Sequence, residues 1–140
     1  MKNVNVGKVI LGGLLAGLVL NFGEFLLNDL ILAKHMQDFF ARVDLTPPGT
    51  SFLIAAVSLT FAMGVVLIFL YALIRSRLGP GVKTAIVAAL LMWFAVYVYT
   101  GVVNGLALSV PLNLILIAMA WGLVEYVLAA IAGAWVYREA

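Results

Sequence analysis

Residues 9–31 read V-I-L-G-G-L-L-A-G-L-V-L-N-F-G-E-F-L-L-N-D-L-I. A bilayer core about 30 Å thick is crossed by about 20 helical residues, so this run is long enough to span it. The short basic stretch before it, with Lys2 and Lys8, has the look of a signal-peptide start. The apolar run outlasts the 7–15 residues of a signal core, however, and is expected to stay as the first span. Three further runs qualify, at about 52–74, 84–106 and 112–136. They are too long for barrel strands and do not alternate as such strands do.

The breaks between the runs follow from local chemistry. Pro47-Pro48-Gly49 stops any helix before the second run, and Gly79-Pro80-Gly81 turns the chain between the second and third. Pro111 suits the start of the fourth, where a missing N–H costs little. The predicted fold is an all-α membrane protein, a four-helix transmembrane bundle in one domain covering residues 1–140. Composition agrees: of 140 residues 66% are hydrophobic and 10% charged, against about half and a quarter in soluble domains. A nucleic-acid module, a disordered chain and a disulfide-stapled domain are excluded on the same grounds. With no Cys and one His, thiolate chemistry and bis-His haem ligation cannot be built from one copy. No cofactor is expected.

Basic residues orient the bundle. Lys2, Lys8, Arg75, Arg77, Lys83 and Arg138 flank one side, and Lys34 and Arg42 the other. Six against two predicts both termini in the cytoplasm. The outer loop 32–51 holds Met36, Phe39, Phe40 and Val43 near helical spacing, with charges between them. This predicts an amphipathic helix, either lying on the interface or continuing the first span. Trp135, Tyr137 and Tyr71, at the inner span ends, read as interface anchors.

An internal repeat is also readable. Asn28 placed on Asn104 puts Glu24 on Thr100, Asn21 on Tyr97 and Gly17 on Trp93. Two parallel-repeated helical hairpins would produce this, and so would the ready self-matching of apolar sequence.

The chemistry lies in a polar stripe. Gly13, Gly17, Asn21, Glu24 and Asn28 fall at helical spacing on the first span. Trp93, Tyr97, Thr100 and Asn104 do so on the third, and Ala118, Trp121 and Glu125 on the fourth. Lipid is a poor host for Asn and worse for Glu, so these groups are expected to meet inside the bundle. Glu24 and Glu125 should share a pocket with Asn21, Asn28, Tyr97, Thr100 and Asn104. The two carboxyls can share one proton and titrate as a unit. GxxxG spacing at Gly13–Gly17 and Gly101–Gly105 predicts close helix packing. Asp29, His35 and Asp38, near the outer border, make no defined metal geometry, and no metal site is expected.

Gly12-Gly13, the run Asn21-Phe-Gly-Glu24-Phe-Leu-Leu-Asn28, the loop Leu78-Gly-Pro-Gly-Val-Lys83-Thr, and Trp121-Gly-Leu-Val-Glu125 with Gly133-Ala-Trp-Val-Tyr-Arg-Glu139 together carry a resemblance. The combination resembles small four-span bacterial membrane proteins that carry no assigned activity, over nearly the whole chain. It implies the fold and a place in the bacterial inner membrane, and nothing about chemistry.

On these residues the leading expectation is an accessory or assembly subunit, packing on itself or on a larger membrane protein. The alternative is a small oligomeric proton- or cation-coupled transporter or ion pathway using the Glu pair. No nucleophile has a base beside it at depth, so nothing points to an enzyme. The lipid bilayer is the one certain surrounding, and nucleic acid is not an expected partner.

Overall fold

The computed structural model describes residues 4–137. Four helical spans cross-pack: Val6–Ile31, Thr50–Leu78, Val82–Ala107 and Leu112–Val136, each long and apolar enough to cross a membrane. The described residues contain no strand. This is the four-helix bundle expected, in an integral membrane protein. Lys2, Arg138 and Glu139 lie outside the described residues.

The first span is α1 (Val6–Phe25) continued by a π-helical segment, Leu26–Ile31. The Asn5 side chain caps α1, accepting from the Lys8 N–H at 3.1 Å. The chain bends at Leu32 and enters α2 (Ala33–Arg42). The second span is α3 (Thr50–Leu78). It outruns the expected end by a turn because Arg75 and Arg77 suit the negative end of the helix. The third span is α4 (Val82–Trp93), a second π-helical segment (Phe94–Tyr99) and α5 (Thr100–Ala107); α6 (Leu112–Val136) is the fourth.

Turn chemistry closes each connection. Gly79 and Gly81 take φ values of 82° and 126°, which L side chains rarely adopt. At the other end of the bundle, Asp44 and Ser109 sit at φ 54° and 55° just past α2 and α5. Behind them the N–H groups of Leu45 and Val110 donate to Phe40 O (3.0 Å) and Gly105 O (2.9 Å). Both ends are Schellman caps, which satisfy carbonyls the helix leaves open.

Packing is tight at the end carrying the termini. Gly13 and Gly17 of α1 lie against the α3 backbone at Val65 and Phe61, and Gly64 of α3 lies against Gly13 and Gly17 in return. Gly12 meets Gly133 of α6 in the same way. Ala16, Leu67, Ile68, Ala85, Ala88, Ala89, Ala129 and Ala130 fill the space between and are fully buried. Small residues suit this because, in lipid, helices associate by close backbone approach. Leu11, Leu14, Leu18, Phe22 and Phe25 form an exposed stripe along α1 that fits a lipid-facing surface.

The loop end is looser. Phe52, Leu53 and Ile54 at the start of α3 are each at least 60% exposed, so α3 separates from the bundle there. Gly101 departs from the packing expected of it: nothing lies within 4 Å of where its Cβ would stand. It sits where the third span has left its neighbours. Gly105 does pack, against the Ile115 side chain of α6. Two of the expected interface anchors are also internal. Tyr71 and Tyr137 are buried edge to face at 5.9 Å, with the Arg75 guanidinium over both rings. Trp135 alone is exposed, at 83%.

Candidate functional site: a carboxylate-floored cleft

Where the tight half gives way to the loose half, the intramembrane acids meet. Tyr97, in the second π segment, donates its hydroxyl to Glu24 Oε1 at 2.5 Å. Asn28, one turn along the first span, donates from Nδ2 to Glu24 Oε2 at 2.8 Å. Both carboxylate oxygens of Glu24 are thus held, one from within its own span and one from across the bundle. The distances are typical of strong bonds to carboxylates.

Glu125 on α6 is buried, at 5% exposure. The Trp121 indole N–H lies 3.1 Å from both Glu125 Oε2 and Gly23 O, so it ties α6 to α1 while orienting the acid. Glu125 reaches α1 only because residue 23 is glycine: a Cβ there would stand 2.5 Å from Oε2. Gly122 does the same for Tyr97, whose ring would lie 2.5 Å from a Cβ at that position. Glu24 and Glu125 lie within electrostatic range of one another. The Tyr97 ring packs edge-on to Tyr126 at 6.0 Å.

The two acids meet, but they differ in their relation to the cleft beside them. Glu24 is on the wall of an open cleft of about 380 Å³, with Asn28, Tyr97, Thr100 and Asn104. Glu125 is not among the lining residues; the Tyr97 ring on Gly122 stands beside it. Asn21 is not there either. Its amide donates to Gly17 O at 2.9 Å and to Val57 O of α3 at 3.4 Å, so it braces the first two spans. Along the first span the stripe therefore divides, Gly13, Gly17 and Asn21 turning to α3 and Glu24 and Asn28 to the cleft. The Thr100 hydroxyl bonds back to Val96 O on its own helix. Asn104 is exposed within the cleft.

The sequence reading did not foresee several contributors. Met36, Phe39 and His35 of α2 cover the loop end of the cleft, so the amphipathic helix is part of the site. Leu114, Ile115, Ala118 and Met119 of α6 supply the facing wall, and α3 contributes nothing. Trp93 donates to Met119 O at 2.8 Å and pins the third span to the fourth. The two π segments flank the acids. π-Bulges often mark functional sites, but a six-residue shift in helical winding leaves no simple sequence signature. Gly23 and Gly122 carried no local signal either, because the side chains they make room for, Glu125 and Tyr97, are far away in the chain.

Among the described residues no three His, Cys, Asp or Glu side chains come close enough to hold a metal ion. No family model, curated protein or solved structure matches the chain.

Proposed function

We propose that this chain handles cations in the membrane, as a small oligomeric carrier or ion pathway in which Glu24 meets the cargo and Glu125 supports it. One observation carries the reading: Glu24 is on the wall of a cleft that opens at one end of a bundle closed by glycine contacts at the other. A carrier resting in one of its end states has this form, with the site near the middle and access from one side. Intramembrane ionisable groups mark ion or substrate routes by default. Four spans are few for a complete carrier, so the working unit is an oligomer. The six-against-two distribution of basic residues supports cytoplasmic termini, in a bacterial inner membrane, with the cleft facing outward.

The test is flux in reconstituted vesicles, read by a trapped pH-sensitive dye under an imposed cation gradient. Glu24→Gln and Glu125→Gln are expected to abolish it. Flux unchanged in both removes the proposal.

A second reading, the accessory subunit, rests on a different observation. The loop-end turns of α3 and the Asn104 amide are exposed at membrane depth, and lipid covers an amide poorly. Gentle extraction should then recover a stoichiometric companion protein. A clean homo-oligomer counts against it.

A further inference from the structure

We infer that the cleft beside Glu24 binds a lipophilic organic monocation, an alkylated ammonium rather than a metal ion, an anion or an ammonium rich in N–H groups. The inference names the cargo class for the cation-handling reading and rests on it.

Size is the first argument. About 380 Å³ lies within the range of small-molecule sites and is far more than a bare ion requires. The walls come next. Leu27, Val96, Leu114, Ile115 and Met119 present hydrocarbon or thioether, with the Phe39 and Tyr97 rings among them. A hydrated metal ion would have to exchange water for six or more oxygen ligands. Glu24 with the scattered amides of Asn28 and Asn104 cannot supply that shell. An anion would face the Glu24 carboxylate on the cleft wall.

The titratable groups lining the cleft are Glu24, Tyr97 and His35, and no Lys or Arg lines it. An apolar chamber with one carboxylate calls for a compact positive charge in an apolar coat. The hydrogen bonding of Glu24 sharpens this further. Oε1 already accepts from Tyr97 and Oε2 from Asn28. Each oxygen keeps a second lone pair, so a guest with three N–H donors finds acceptors only along the polar edge formed by Glu24, Asn28, Thr100 and Asn104, and hydrocarbon elsewhere. A quaternary ammonium needs no such partner, and a tertiary one needs a single acceptor. Either is attracted by the Glu24 carboxylate, and its apolar coat suits the hydrocarbon and aromatic lining around that acid. The cavity and its carboxylate thus select for charge without selecting for hydrogen bonds.

The experiment is equilibrium dialysis of the full-length chain in dodecyl maltoside against labelled benzyltrimethylammonium, with empty micelles subtracted. Saturable binding is expected, displaced by unlabelled probe and not by excess neopentylbenzene, its neutral isostere. Glu24→Gln should weaken binding by about tenfold or more. Ala118→Phe, which adds bulk to the α6 wall of the cleft and leaves the acid in place, should also weaken it, and guards against a Glu24→Gln chain that fails to fold. Ser58→Ala, on an exposed turn of α3 bonded to its own helix, should bind as the parent does. Absence of saturable binding overturns the inference, as does equal displacement by neopentylbenzene or undiminished binding in both cleft variants. The two proposals fail separately. Glutamate-dependent flux without ammonium binding leaves cation handling standing and removes this cargo. Ammonium binding without any flux does the reverse.

Discussion

Gly64→Ala adds one methyl group at the tightest crossing in the bundle. The new Cβ would stand 2.6 Å from Gly17 Cα, and closer still to the Gly17 nitrogen and the Gly13 carbonyl oxygen. All three obstacles are backbone, so no side chain can rotate away; α1 and α3 must separate until the contact reaches at least the 3.4 Å of ordinary packing. Overpacking of this kind costs about 1–3 kcal/mol, and a backbone obstacle belongs in the upper half of that range. Against it stands the intrinsic preference of a helix interior for Ala over Gly, about 1 kcal/mol. The net expectation is a loss of about 1–2 kcal/mol. Gly101→Ala is the matched control, since it makes the same chemical change in a helix where nothing lies within 4 Å of the added atom. It should be neutral or stabilising by up to about 1 kcal/mol. The assay is reversible unfolding of dodecyl maltoside micelles with added SDS, followed by tryptophan fluorescence. A loss in Gly64→Ala with no loss in Gly101→Ala is expected. A Gly64→Ala chain as stable as the parent, or equal losses in both, would refute the packing argument.

Other consequences are as direct. Trp121→Phe keeps an aromatic side chain but removes the pyrrole half of the indole, with the N–H shared by Glu125 and Gly23 O; it should lower stability in the same assay by about 1–2 kcal/mol. Arg75→Lys should lose about 1 kcal/mol, because an ammonium cannot lie over Tyr71 and Tyr137 as the planar guanidinium does. A Lys variant equal to the parent in melting temperature would deny that stacking a role. The chain has no Cys, so Lys83→Cys and Val43→Cys give single-label reporters of orientation. An impermeant maleimide added to intact cells should label the second and spare the first, and labelling of both would overturn the proposed topology.

How far the site was legible depended on how far its geometry was local. Glu24, Asn28 and Tyr97 were readable as intramembrane polar groups, since any such residue must find a partner away from lipid. Which partner each found was not readable. Asn21 shares the helical face of Glu24, yet bonds to Val57 O, because α3 lies against α1 at that level and leaves it higher up. Phe39 and His35 could be placed on an amphipathic helix but not over a cleft, because the bend at Leu32 sets the direction of α2.

Length, hydropathy and the breakers at Pro48, Pro80 and Pro111 determined four spans and their turns, because helix formation in a bilayer is a one-dimensional requirement: each backbone group must bond within its own segment. The crossing at Gly64, the division of the polar stripe and the seclusion of Glu125 behind Tyr97 were decided only in three dimensions. Each depends on how near two backbones come, and that distance is set by pairs of residues far apart in the chain, such as Gly23 with Glu125 and Gly122 with Tyr97.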